Sequence, residues 1–186
     1  MIDRLDPPVR HRAYGSGGIN RVESPIRANS VPYISIVLGS LLPFLLLADV
    51  MPVTPPLGYM LFLGWRLMRP GLMPLWVGVP LGAFDDLFSG QPFGSAILLY
   101  SLTMIALEII ETRFPWRGFW QDWFTAGLGI LLYIIAAMTV SGATLSVHLF
   151  IATIPQILVA ILVYPLVARV IAWLDRFRLS RSRRVG

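Results

Sequence analysis

Three aspartates, Asp49, Asp85 and Asp86, are the residues of this chain best placed to do chemistry. Each stands at the end of a long apolar run. A charge in such a place is expensive, so it normally faces protein or water and calls for an explanation. Two carboxylates brought together from different helices can share a proton, the apparatus of aspartyl hydrolysis inside a membrane. Asp49 with Asp85 or Asp86 would be such a pair. Gly78, Gly82 and Asp86 follow one another at i, i+4 and i+8 and share a helix face. Small residues at that spacing let backbones approach closely, which turns Asp86 into a helix contact rather than toward lipid. Three readings of Asp86 stay open: a bond to the Gly90 turn and the start of the next helix, a charge for a partner protein, or a carboxylate for an ion or solute. Asp85 lies about 100° further around the helix and reads as a solvated charge at the outer interface.

The remaining charges in apolar surroundings are Glu108 and Glu111, close in sequence to Arg113, which read as an interfacial ion-pair cluster with snorkelling side chains. His148 falls in a loop and the only other histidine, His11, in the N-terminal tail, so a histidine-rich metal site is excluded. There is no cysteine, hence no disulfide, thiolate metal site or cysteine nucleophile. The chain has no GxxxxGK[ST] phosphate loop, no HExxH zinc pair and no GxSxG nucleophile elbow. Lipoprotein signal peptidases use a pair of intramembrane aspartates, but neither of their aspartate motifs is matched here and those enzymes have four spans. No cofactor is expected.

The elements that must position these residues follow from composition. Hydrophobic residues make up 56% of the 186 residues and charged ones 13%, where soluble domains carry about 25% charged residues; mean hydropathy is +0.71. This is the composition of an all-α integral membrane protein. The net charge of +5 therefore reads as topology and lipid-headgroup contact, not nucleic-acid binding, since the basic ends lack interleaved aromatics. Residues 1–30 read as a disordered basic tail. Six apolar segments follow: Val31–Ala48, Pro55–Trp65, Gly71–Phe88, Phe93–Ile110, Phe119–Val140 and Leu149–Trp173. Residues 174–186 form a second basic tail. A spanning helix needs roughly 20 apolar residues, so the second segment is short, and it calls for local thinning, burial by neighbours or a partly re-entrant path. Tyr33, Trp65, Trp116, Trp120, Trp123 and Trp173 fall near predicted interfaces, the ordinary place of membrane-anchoring aromatics.

Charge decides whether the short segment crosses. With six spans and both termini cytoplasmic, all 15 arginines lie inside, including Arg66, Arg69, Arg113, Arg117 and Arg169, and the loops around Pro52, Gly90 and Gly142 carry none. If the second segment failed to cross, the ten arginines from Arg66 onward would fall on the wrong side. The positive-inside rule favours six. The inner side then holds 15 Arg against 7 acids, a net of +8, and the three outer aspartates restore the total of +5.

Between Trp65 and Tyr100 the chain resembles the rod shape-determining protein MreD family. The resemblance rests on Arg69-Pro70 after the second segment with Trp65 before it, then Gly82 and Asp86, then Ser89, Gly90, Pro92 and Gly94, with Tyr100 in the helix that follows. By register Asp86, not Asp85, is the motif aspartate. Size, six segments and short loops agree along residues 31–173, while the arginine-bearing N-terminal tail is longer than the family leads one to expect. The resemblance implies a non-enzymatic subunit of the bacterial inner membrane that associates with MreC, through it with the actin homologue MreB, and with RodA and its partner transpeptidase, helping to place lateral-wall peptidoglycan synthesis. It also implies a fold similar to the six-helix substrate-binding components of ECF transporters. That is the origin of the competing reading: a solute-binding transport subunit using Asp49, Asp86 and His148 on the outer face. Such a subunit needs a polar cavity, and the sequence offers few amides for one beyond Gln91 and Gln156. The scaffold reading is preferred.

Overall fold

A computed structural model describes residues 25–46, 54–113, 118–142 and 147–179. Among them every regular element is a helix: α1 (Pro25–Leu46), α2 (Leu57–Met68), α3 (Gly78–Phe88), α4 (Ser95–Arg113), α5 (Phe119–Val140) and α6 (Val147–Leu179). Three are long and apolar enough to cross a membrane, Ser95–Arg113, Trp120–Val140 and Ile151–Leu179, with Asn29–Leu45 as a shorter apolar helix. The chain is thus a helical membrane protein.

The short second segment is the centre of the bundle. α2 packs against α1, α4, α5 and α6, and its residues from Gly58 to Leu67 are buried except Leu61. Twelve residues rise only about 18 Å, well below the roughly 30 Å of hydrocarbon. Neighbours rather than lipid surround this helix, so its backbone ends need not reach headgroups. The outward faces belong to the other helices: Leu38, Leu45, Leu102, Leu128 and Leu162 are all exposed, as lipid-facing residues must be.

Several boundaries differ from expectation. α1 begins at Pro25, inside the predicted tail, where proline suits a first helical turn because its missing N–H is not needed there. The third segment is not one helix. Gly71 takes φ +79°, Pro74 is extended, and a 3-10 turn at Leu75–Val77 leads into an α3 of 11 residues. α6 continues past Trp173 to Leu179, so Asp175 and Arg178 sit on a helix rather than in a tail. At 33 residues it rises about 50 Å and outruns the hydrocarbon. Trp65 is wholly buried rather than an interface anchor. Its Nε1 donates to Ser35 Oγ at 2.8 Å, and that hydroxyl donates to Pro32 O at 2.7 Å. Trp120 and Trp173 do project outward.

Candidate functional site

The bundle has two polar ends. At one, the C-terminal turns of α2, α4 and α6 converge. Arg66, 1% exposed, pairs with Glu108 and places Nη1 2.9 Å from Glu111 Oε2. The expected partner of the two glutamates, Arg113, is instead exposed at the end of α4. Position explains this: Arg66 reaches them from the central helix, and a buried guanidinium is tolerable only when paired. Arg69 Nε and Nη2 donate to Asp175 Oδ2 at 3.1 and 2.5 Å. Arg178 Nε donates to Asp175 Oδ1 at 2.8 Å, and its guanidinium lies 5.6 Å from the Trp65 ring centroid.

At the other end stands the α3–α4 hairpin. Gly78 and Gly82 face α4. A Cβ on Gly82 would lie 2.6 Å from Ala96 O and Ile97 Cα, and one on Gly78 3.0 Å from Ser101 N. Only glycine permits this approach. Gly90 ends α3 at φ +68° and Gly94 precedes α4 at φ +101°, left-handed conformations that a Cβ would strain. Ser89, Gly90 and Pro92 are exposed in the turn.

Asp86, 6% exposed, is spent inside this hairpin. Oδ2 accepts from Gly94 N at 2.8 Å and Ile97 N at 3.3 Å; Oδ1 accepts from Ala96 N at 2.8 Å and Ser95 Oγ at 3.1 Å. A carboxylate from one helix thereby satisfies the orphan N–H groups of the next and sits at the positive end of its dipole. Of the readings left open above, the bond to the start of the next helix is the one the geometry realises.

Asp85 is not solvated. It is 8% exposed and turned toward the bundle axis, where Tyr133 Oη donates to its Oδ2 at 3.2 Å. The 100° between the two aspartates separates a helix contact from the core because α1, α2 and α5 close over that side of α3. Tyr133 and Tyr100 lie beside it, and Tyr59 packs against both. Tyr59 stacks on Tyr133 at 4.0 Å, meets Tyr100 edge-on at 5.4 Å, and bonds Thr103 Oγ1 at 2.9 Å and Gly129 O at 3.3 Å. Tyr100, fully buried, lies close enough to Ser40 and Asp85 to interact with both, yet meets neither at normal hydrogen-bond geometry. Tyr59, Tyr133 and Ser40 carry this interior and Arg66 the opposite end, and none of the four stands out as a site residue in the sequence. A tyrosine repeated within apolar segments was the available signal.

Asp85 also forms a wall of a cavity of about 530 Å³, bounded by Ser40, Phe44, Gln91, Tyr133 and Gln156 among others. Neither Asp86 nor His148 lines it; His148 is exposed at the start of α6. Asp49 lies outside the described residues. A proton-sharing pair of Asp49 with Asp86 has no free carboxylate on the Asp86 side, whose oxygens accept from Gly94, Ser95, Ala96 and Ile97. No group of three or more His, Asp or Glu suited to a metal occurs among the described residues. No family model, no curated protein and no solved structure matches the chain.

Proposed function

We propose that this chain is a non-enzymatic scaffold subunit of the bacterial cell-elongation machinery, similar to MreD, with six membrane-crossing segments and both termini in the cytoplasm of an inner membrane. The observation that carries the reading is that the residues of the resemblance form linked supports of one hairpin and one core. Asp86 caps α4, Gly82 sets the α3–α4 distance, Gly90 and Gly94 turn the chain, Trp65 anchors α1 and Arg69 clips α6. A motif that builds shape rather than a reaction centre suits a protein acting through its surfaces. With short connections, those surfaces are apolar helix faces and an arginine-bearing end open to cytoplasmic partners and anionic lipid. Helix packing against the single span of MreC is the proposed mode, with RodA, its transpeptidase and, indirectly, MreB in the same assembly.

The second reading, a solute-binding subunit of an ECF-type transporter, is favoured by the cavity beside Asp85. A mild-detergent pull-down of the tagged chain from native membranes separates the two. Recovery of MreC with RodA or its transpeptidase supports the scaffold; recovery of an ATPase pair with a coupling membrane subunit refutes it. Normalised to folded protein, Asp86→Ala is expected to lower recovery more than Asp85→Ala, and equal recovery counts against the assignment of Asp86 as the motif residue.

A further inference from the structure

The carboxylate of Asp85 has no role in the scaffold reading, and its surroundings are unusual. It is buried on a cavity wall, and no ion pair to it occurs among the described residues. The chain contains no lysine, and among the described residues no arginine or histidine lines the cavity. A buried carboxylate without a cation is costly; Tyr133 donates to it at 3.2 Å and the Ser40 and Tyr100 hydroxyls lie within its reach, all of them neutral groups rather than charges.

The lining has a consistent chemical sense. Gln156 commits its Nε2 to Thr54 O at 2.8 Å, leaving its carbonyl oxygen as an acceptor. Ser141 donates to Met138 O at 2.7 Å, so its hydroxyl oxygen keeps only lone pairs. Phe44, Phe88 and Tyr133 add aromatic walls, Phe44 and Phe88 meeting edge-on with centroids 6.0 Å apart. One carboxylate, spare acceptors and aromatic rings with no basic group attract positive charge and repel anions. The volume of about 530 Å³ lies within the roughly 300–1,000 Å³ range of small-molecule sites.

We propose that this cavity is a binding site for a small organic ammonium group, held by Asp85 and flanked by the aromatic side chains of Phe44, Phe88 and Tyr133. The ammonium belongs either to a free amine or to the headgroup of an amine lipid. The inference stands apart from the scaffold reading, and the failure of either leaves the other intact.

The test is titration of the purified full chain, in phosphatidylglycerol nanodiscs free of amine lipid, with ethanolamine, choline and putrescine, followed by thermal shift and calorimetry. Saturable binding of at least one probe is expected. Asp85→Asn, which keeps shape and removes charge, is expected to weaken it about tenfold or more, the scale of a charge-assisted bond. Ser141→Trp, a change at an exposed position on the cavity rim, is expected to block the same binding without touching the carboxylate. Binding of free probes assigns a solute site. A shift seen only when phosphatidylethanolamine is added to the discs, and lost in Asp85→Asn, assigns the headgroup. No saturable response in either format overturns the proposal, as does equal affinity in the wild type and both variants.

Discussion

Removal of the Asp86 carboxylate should be the most damaging single change in the α3–α4 hairpin, and its cost can be worked bond by bond. Ser95 Oγ has one proton and also faces Gln91 Oε1 at 3.1 Å, so in Asp86→Ala it turns to the glutamine and little is lost. Ala96 N–H is buried and has no substitute acceptor, which costs about 1–3 kcal/mol. Gly94 and Ile97 N–H are part-buried and water recovers some of each bond, so they add roughly 0.5 kcal/mol apiece. Loss of negative charge at the start of α4 adds about 0.3–1 kcal/mol. The sum is about 3 kcal/mol, or a fall of roughly 6–12 °C in unfolding midpoint for a chain of this length. Asp86→Asn keeps one acceptor and should lose about half as much. Asp85→Asn keeps an acceptor for Tyr133 and should move the midpoint little. Thermal unfolding in a single mild detergent, read by intrinsic tryptophan fluorescence and by size-exclusion profile, provides the measurement. An Asp86→Ala protein melting within about 2 °C of wild type, against the roughly 3 kcal/mol expected, would refute the capping argument. So would an equal fall in Asp85→Asn.

Gly82→Ala should destabilise by about 1–3 kcal/mol, because its Cβ meets immovable backbone of α4 and forces the helices apart; Gly78→Ala, with more room, should cost less, and the order is checked by denaturant titration in micelles. Changing both Glu108 and Glu111 to Gln strands Arg66 without a counter-charge and should cost about 3–5 kcal/mol. Glu108→Gln alone, at a position 50% exposed, should cost far less, and similar losses from the single and the double variant would contradict the pairing. Asp175→Asn takes the shared charged acceptor from Arg69 and Arg178 and should lower stability by about 1–3 kcal/mol. Denaturant titration in micelles checks this, and a variant as stable as wild type would count against the clip.

The helices most legible in the sequence were those facing lipid. α5 runs from Phe119 to Val140, the bounds of its apolar run, with Gly118 N–H bonded to the Gln121 side chain at its start. Hydropathy reads that kind of helix well because most of its surface must dissolve in hydrocarbon. α2 and α3 were harder for the opposite reason. A helix walled in by protein need be neither long nor continuous, so the break at Pro74 and the centrality of α2 left no trace in a count of apolar residues. Adjacent aspartates posed the same problem in miniature. Spacing with Gly78 and Gly82 identified the face of Asp86, but the fate of Asp85 depended on which helices close over the next 100°. Arg66 likewise found glutamates 42 and 45 residues away rather than the arginine's neighbours in sequence finding each other.

The dependence of α2 on later helices bears on how the chain is made. A 12-residue helix with a guanidinium in its last turn is a poor candidate to settle in lipid by itself, and the carboxylates that neutralise Arg66 are made after it. Glu108 is synthesised 42 residues later, about 2–8 s at ordinary elongation rates. During that interval α2 needs shelter at the insertion machinery or at the headgroup level. Its final seat is formed only when α4, α5 and α6 arrive around it. The central helix is thus among the first made and the last enclosed.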